Sequence, residues 1–233
     1  MKKYLKKICL FVSVNLLLFA TVSHAGNVVV SDVAGGLLSV NAMSLKESRF
    51  RSVIRQQYDF SCGSAALATL LAYHYEDSVT EQDVFKEMYD KGDQEKIKKE
   101  GFSLLDIKNY LVKRGYSADG FKTSLDKLAS LGVPAIVLIN HNGYRHFVVV
   151  KGVGTRDVLL GDPAAGVRTI SRSEFETMWN GILFLVRNKK NIAQNYFNRN
   201  ADWNVIAKAP VGMAMHSSDL ARVTLMLPGV NDF

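Results

Sequence analysis

Cysteine is nearly absent: two residues in 233, and the first of them, Cys9, falls in an N-terminal segment built like a cleavable export signal. Cys62 would then be the only thiol of the mature chain, which excludes an internal disulfide. A leftover thiol in an exported protein is a candidate reactive group. Also missing are a Cys/His/carboxylate cluster at metal-ligand spacing, a glycine-rich phosphate loop and a dinucleotide fingerprint. No metal, ATP or other cofactor is therefore expected. The apolar run from Ile8 to Ala20 is short of a membrane span and quickly terminated. Repeats and low-complexity tracts are absent as well.

The N-terminus carries Lys2, Lys3, Lys6 and Lys7 ahead of that apolar run, then Ser23-His24-Ala25 with small residues at the cleavage positions. This pattern predicts a signal peptide cut after Ala25 and hence a periplasmic location. Removing those 25 residues leaves 208, and losing the four lysines lowers the formal charge from +7 to +3. The basic balance is thus partly a property of the signal, and a nucleic-acid partner is not implied.

Residues 26–49 form an N-terminal extension of small and β-branched residues, with Gly35-Gly36 as a turn or as a site of self-processing. Cys62 opens an apolar helix to about Tyr75, with Ala66, Leu67, Leu70, Leu71 and His74 on one face. Thr80-Glu-Gln-Asp83 has the form of a capping box, and Ser103-Leu-Leu-Asp106 starts another helix. Residues 90–100 are strongly charged and read as an exposed loop or frayed helix. After a short helix from Ser124, the period changes. Strands are expected over 134–139, 146–153, 157–160, 169–170 and 181–186, with a helical turn over 173–179. Helices first and an antiparallel sheet second is an α+β domain, placed at 50–187, followed by a C-terminal extension over 188–233.

A thiol in the first turn of a helix sits near unpaired N–H groups and the positive end of the macrodipole, which favour the nucleophilic thiolate. Gly63 would leave room for a substrate backbone. Of the four histidines beyond the signal, His74 belongs to the core stripe of the same helix, and His216 lies in the polar tail. His141 sits in an Asn/Gly turn, whereas His146 begins an apolar strand that can pin its ring. His146 is the better base. Asp162, at the end of the next strand and held from helical geometry by Pro163, could orient it. Gln56, with Gln57 as rival, could donate to an oxyanion together with the Cys62 backbone N–H.

Gln56-x5-Cys62-Gly63-x-Ala65-Ala66-Leu67, His146-Phe-Val-Val-Val150 with Gly152, and Gly161-Asp162-Pro163 together resemble the C39 family of papain-like cysteine peptidases, in order and spacing, from about Arg55 to Val186. The resemblance implies a papain-like fold, with an N-terminal helical half packed on an antiparallel sheet. It implies Cys62 as nucleophile, His146 as acid/base, Asp162 as orienting group and Gln56 as oxyanion donor. Degenerate domains of this kind lose the cysteine and only bind; this chain keeps it. The signal, and the lack of a transmembrane bundle and an ATP-binding domain, make it similar to the stand-alone peptidases of functional-amyloid export. The implied substrate is a secreted protein or peptide, an amyloid subunit among the candidates, with an outer-membrane export pore as a further partner. The alternatives are a non-catalytic module presenting a client to such a pore, and cell-wall amide hydrolysis or acyl transfer.

Overall fold

A computed structural model of the chain describes residues 27–31, 37–41 and 44–205. The expected signal peptide, Gly35-Gly36, His216 and the apolar run at 223–227 lie outside the described residues. The chain divides into two units, residues 1–48 and 49–233. In the first, β1 (Asn27–Ser31) and β2 (Leu37–Asn41) pair antiparallel, Val29 opposite Ser39. A short helix, α1 (Leu45–Arg49), follows.

The second unit begins with helices: α2 (Cys62–His74), α3 (Glu81–Lys91), α4 (Gln94–Glu100) and α5 (Leu104–Lys113). Next come β3 (Ala118–Lys122), α6 (Leu125–Leu131), β4 (Ala135–His141), β5 (Tyr144–Val153), β6 (Asp157–Asp162) and β7 (Gly166–Ser171). The unit closes with α7 (Arg172–Met178), β8 (Ile182–Val186), α8 (Lys190–Gln194) and α9 (Asn200–Asn204). Six strands form one antiparallel sheet in the order β3-β8-β4-β5-β6-β7. This is the expected α+β arrangement, helical half first.

Helix α2 is the centre of the core, packed against β5 on one side and α3 on the other. Every residue from Cys62 to Leu71 is buried. The single apolar stripe expected from its spacing is therefore too narrow: a helix buried on all sides is apolar all round, which Ala, Gly and Leu supply. The other helices start where short polar side chains satisfy the first N–H groups. Thr80 accepts from the Asp83 N–H, and Ser103 and Asp106 form a complete reciprocal box.

Three differences from the sequence reading have local causes. Of the two readings left open for 90–100, loop or frayed helix, the helix holds, but it is capped rather than frayed, because Asp93 caps α4 and its Ile97 is buried. Strand β3 was not expected: its Asp, Gly and Lys suit an edge, and only β8 pairs with it. The space at Gly63 is filled by the protein itself. A Cβ there would lie 2.9 Å from Phe102 Cβ and 3.3 Å from Phe147 Cδ2, so glycine serves close packing rather than substrate entry.

Residues beyond β8 dock onto the sheet. Asn198 donates from its backbone to the Lys151 carbonyl at 2.9 Å and from Nδ2 to the Val153 carbonyl. Lys151 sits where the β5–β6 register shifts between Val150 and Gly152, a bulge that turns its side chain inward. Its Nζ reaches Ser52 Oγ at 2.7 Å, the Ser52 carbonyl at 2.9 Å and Asp202 Oδ2 at 3.2 Å, although the side chain is only 1% exposed. Ser52 Oγ in turn donates to Asp202 Oδ1.

Candidate active site

Strand pairing brings together two of the residues expected to carry chemistry, His146 and Asp162. Val149 of β5 lies opposite Gly161 of β6, so His146 and Asp162 are diagonal neighbours two steps along. His146 Nε2 donates to Asp162 Oδ1 at 2.7 Å, with both side chains less than a tenth exposed. Asp162 also accepts the Ala164 N–H at 2.9 Å and the Ala165 N–H at 3.3 Å on the same oxygen, a turn that Pro163 helps to fix. Arg168 Nε donates to its other oxygen, Oδ2, at 2.8 Å.

Burial opposes ionisation of Asp162, but the His146 hydrogen bond and charge, the Ala164 N–H and Arg168 outweigh it and bring its pKa down to about 2. Burial likewise disfavours charge on His146. The Asp162 hydrogen bond, hydrogen bonding towards Cys62 and then the charges of the same two groups overcome it and raise the pKa to about 9. An ionised Asp162 can only accept, so the ring proton sits on Nε2 and Nδ1 is the basic nitrogen. Nδ1 has no hydrogen-bond partner among the described residues, and Cys62 stands close enough to act on the ring.

Cys62 is the first residue of α2, 6% exposed. The cap residue, Ser61, makes no side-chain bond to the first turn, and that turn contains no acid. Its hydroxyl is occupied instead with Tyr58, accepting from the Tyr58 N–H and donating to the Tyr58 carbonyl. The helix start therefore keeps unpaired donors beside the sulfur.

Gln56 is held by its backbone, whose N–H donates to the Pro163 carbonyl at 3.1 Å, tying this segment to the Asp162 turn. Its amide donates one proton to the Tyr58 carbonyl at 3.1 Å, leaving a second available to an oxyanion. Gln57 is exposed and engaged with Gln82 on the surface. His141 lies at the hairpin tip, where Nδ1 meets Met178 sulfur at 3.3 Å, with no contact to Asp162. His74 is 1% exposed, and burial followed by the charges of Lys151 and Arg199 holds it well below its usual pKa.

The sequence reading overlooked three residues beside this site. Arg168 was missed because β7 was read as two residues long; its full register, Leu160 opposite Arg168, carries the signal. Tyr144 begins β5 two residues earlier than expected and stacks on His146. Glu81 is buried and accepts from Ser64, with burial raising its pKa against the Ser61 and Ser64 hydrogen bonds. It had no local signal, being a helix-start acid like many on the surface.

A family model described as the Peptidase C39 family matches residues 51–191. The chain is 41% identical over 172 residues, 73% of its length and 76% of the relative's, to a Pseudomonas fluorescens protein named "Probable functional amyloid protease FapD". The Pseudomonas aeruginosa protein of the same name is 41% identical over 152 residues, 65% of this chain and 67% of that one. Among solved structures, a double glycine motif protease from an AMS/PCAT transporter, in complex with the leader peptide, is 28% identical, covering 57% of this chain and 89% of that chain with a TM-score of 0.48. The peptidase domain of Streptococcus ComA is 22% identical, covering 58% and 96%, with a TM-score of 0.48. The match of 51–191 spans more than half of the chain and takes in Gln56, Cys62, His146 and Asp162, and the chain therefore belongs to the Peptidase C39 family of cysteine peptidases.

Proposed function

We propose that this peptidase is a periplasmic endopeptidase that processes a secreted, amyloid-forming protein or assists its export, with Cys62, His146, Asp162 and Gln56 as its machinery. The observation that carries the site assignment is the 2.7 Å His146–Asp162 bond, which leaves Nδ1 as the basic nitrogen facing Cys62. The amyloid connection rests on the two relatives named as functional amyloid proteases. The location rests on the N-terminal export pattern. Among the described residues no helix is long and apolar enough to cross a membrane.

In this reading the Cys62 proton already rests on His146 Nδ1 in a thiolate–imidazolium pair, and the thiolate attacks the scissile carbonyl carbon. The carbonyl π electrons move to oxygen, where the Cys62 N–H and the second Gln56 amide proton receive the charge. Collapse of this adduct breaks the C–N bond as the imidazolium gives its proton to the departing amine, leaving a thioester. Water, deprotonated by Nδ1, attacks the thioester carbon; the C–S bond then breaks, the carboxylic acid product leaves, and the Cys62 thiolate again faces the proton held on Nδ1. Asp162 stays ionised throughout, holding the tautomer and stabilising the imidazolium.

Incubating the mature protein with candidate secreted amyloid-forming subunits, in parallel with Cys62→Ala, and analysing the products by mass spectrometry tests the proposal. Fragments that require Cys62 are expected. Intact subunits in both reactions would remove the processing role, and retention of a subunit on the Cys62→Ala protein without cleavage by wild type would favour a presenting module.

A further inference from the structure

The turn between β4 and β5 is two residues long, Asn142 and Gly143, with His141 paired to Tyr144 across it. Both central residues have positive φ, 51° and 90°, as a hairpin turn of the I′ type requires. The strand thus starts in a fixed register at Tyr144. Residues two apart on a strand share a face, so Tyr144 stands on the same side as His146. The two rings stack, with centroids 5.7 Å apart and planes inclined by 23°. Tyr144 is 55% exposed and His146 is 5% exposed. An aromatic ring open to solvent therefore lies over a buried imidazole whose opposite nitrogens face Asp162 and Cys62.

From this geometry we infer that Tyr144 is a positioning residue for the peptidase reaction: its ring clamps the His146 imidazole in the plane that keeps Nδ1 on Cys62 and offers a π face to the imidazolium. The inference rests on the assignment of His146 as the base. The bond to Asp162 anchors the ring at Nε2, and the stacked Tyr144 ring covers one face of the imidazole, which sets its tilt about that anchor. An aromatic face within about 6 Å of a cation favours the charged form. The phenol does not compete as an anion: burial, then the charges of Cys62, Asp59 and Asp162, push its pKa up. The ring, not the hydroxyl, is the acting part.

Alkylation of Cys62 by iodoacetamide at neutral pH reads this without a peptide substrate, since Cys62 is the only cysteine among the described residues. Four proteins are compared, wild type, His146→Ala, Tyr144→Ala and Tyr144→Phe, each checked for an unchanged melting transition. Tyr144→Ala is expected to alkylate about fivefold more slowly than wild type, as expected for loss of a cation–π contact worth a factor of this size. Tyr144→Phe, which keeps the ring, should restore the rate to within about twofold. In turnover assays the loss in Tyr144→Ala should appear in kcat, with KM little changed. A Tyr144→Ala protein as reactive as wild type, while His146→Ala is slow, overturns the inference alone. A Tyr144→Phe protein as slow as Tyr144→Ala overturns it in favour of the hydroxyl. A loss confined to KM overturns it in favour of a substrate contact. Equal rates in wild type and His146→Ala overturn the base assignment and this inference together.

Discussion

Arg168 Nε donates to Asp162 Oδ2 at 2.8 Å, occupying the carboxylate oxygen that His146 does not use. Asp162 is thereby held at both oxygens, from β5 and the turn at one and from β7 at the other. Arg168→Ala removes only one of these supports, because the Ala164 and Ala165 N–H groups remain. The Arg168 side chain is also 33% exposed, so solvent takes over part of its role. Turnover should fall by about three- to fivefold, in line with one charge-assisted hydrogen bond discounted for exposure. Steady-state kinetics of Arg168→Ala and Arg168→Gln check this.

The proposed nucleophile and base are tested by Cys62→Ser and His146→Ala. Cys62→Ser should reduce peptidase activity to background, since a hydroxyl is far less acidic than a thiol. His146→Ala should lower kcat by at least about 10³-fold. Asp162→Asn should lie in between, near 10²-fold, if orienting the ring is its main role. His141→Ala should be mild, because His141 meets Met178 and not the site. Equal losses at both histidines would mean that a different ring is the base.

Gln56→Ala is expected to lower kcat by about 10²-fold, the effect of removing one oxyanion donor. The exposed Gln57 is bound to Gln82, and Gln57→Ala should leave kcat within about twofold of wild type by the usual size of surface effects. A larger loss at Gln57 would reverse the assignment.

The pH profile has a definite alkaline limit. The His146 pKa is raised to about 9, so the imidazolium needed to protonate the leaving amine is lost above that value. kcat/KM should fall on the alkaline side with an apparent pKa near 9. Because this folded-state pKa lies above the unfolded one, its stability contribution is full below about pH 6.5 and vanishes as pH rises through about 9. Asp162 runs the other way: its pKa of about 2 is depressed, so its contribution is present above the ordinary carboxylate range and lost as pH falls towards 2. Pre-incubating the protein across pH 2–10 and measuring melting temperature and activity separates the two limbs.

The Ser52–Lys151–Asp202 cluster predicts a stability effect away from the chemistry. Asp202→Ala leaves the buried ammonium of Lys151 without its carboxylate and should cost about 3–5 kcal/mol. Exchanging both charges at once, Lys151→Met with Asp202→Leu, should recover most of that loss. Denaturant unfolding of the single and double variants measures it; additive losses would contradict the pairing.

Much of this molecule is written locally. The start of α2 at Cys62, the caps at Thr80, Ser103 and Ser124, and the Asn142-Gly143 turn depend on residues within a few positions of one another, and the sequence alone determined them. The motif order around Gln56, Cys62, His146 and Asp162 also carried the family. What tertiary structure decided depends on partners distant in sequence. His146 rather than His141 meets Asp162 because the β5–β6 register puts those two residues diagonally across a strand pair. Arg168 reaches the same carboxylate only because β7 pairs along its full length. Lys151 turns inward at a bulge to meet Ser52 and an acid 51 positions further on. Helix α2 is buried on every side because the sheet and the other helices enclose it. Caps and turns are satisfied by neighbouring backbone groups, whereas strand register and depth of burial are settled only when distant segments compete for the same apolar surface.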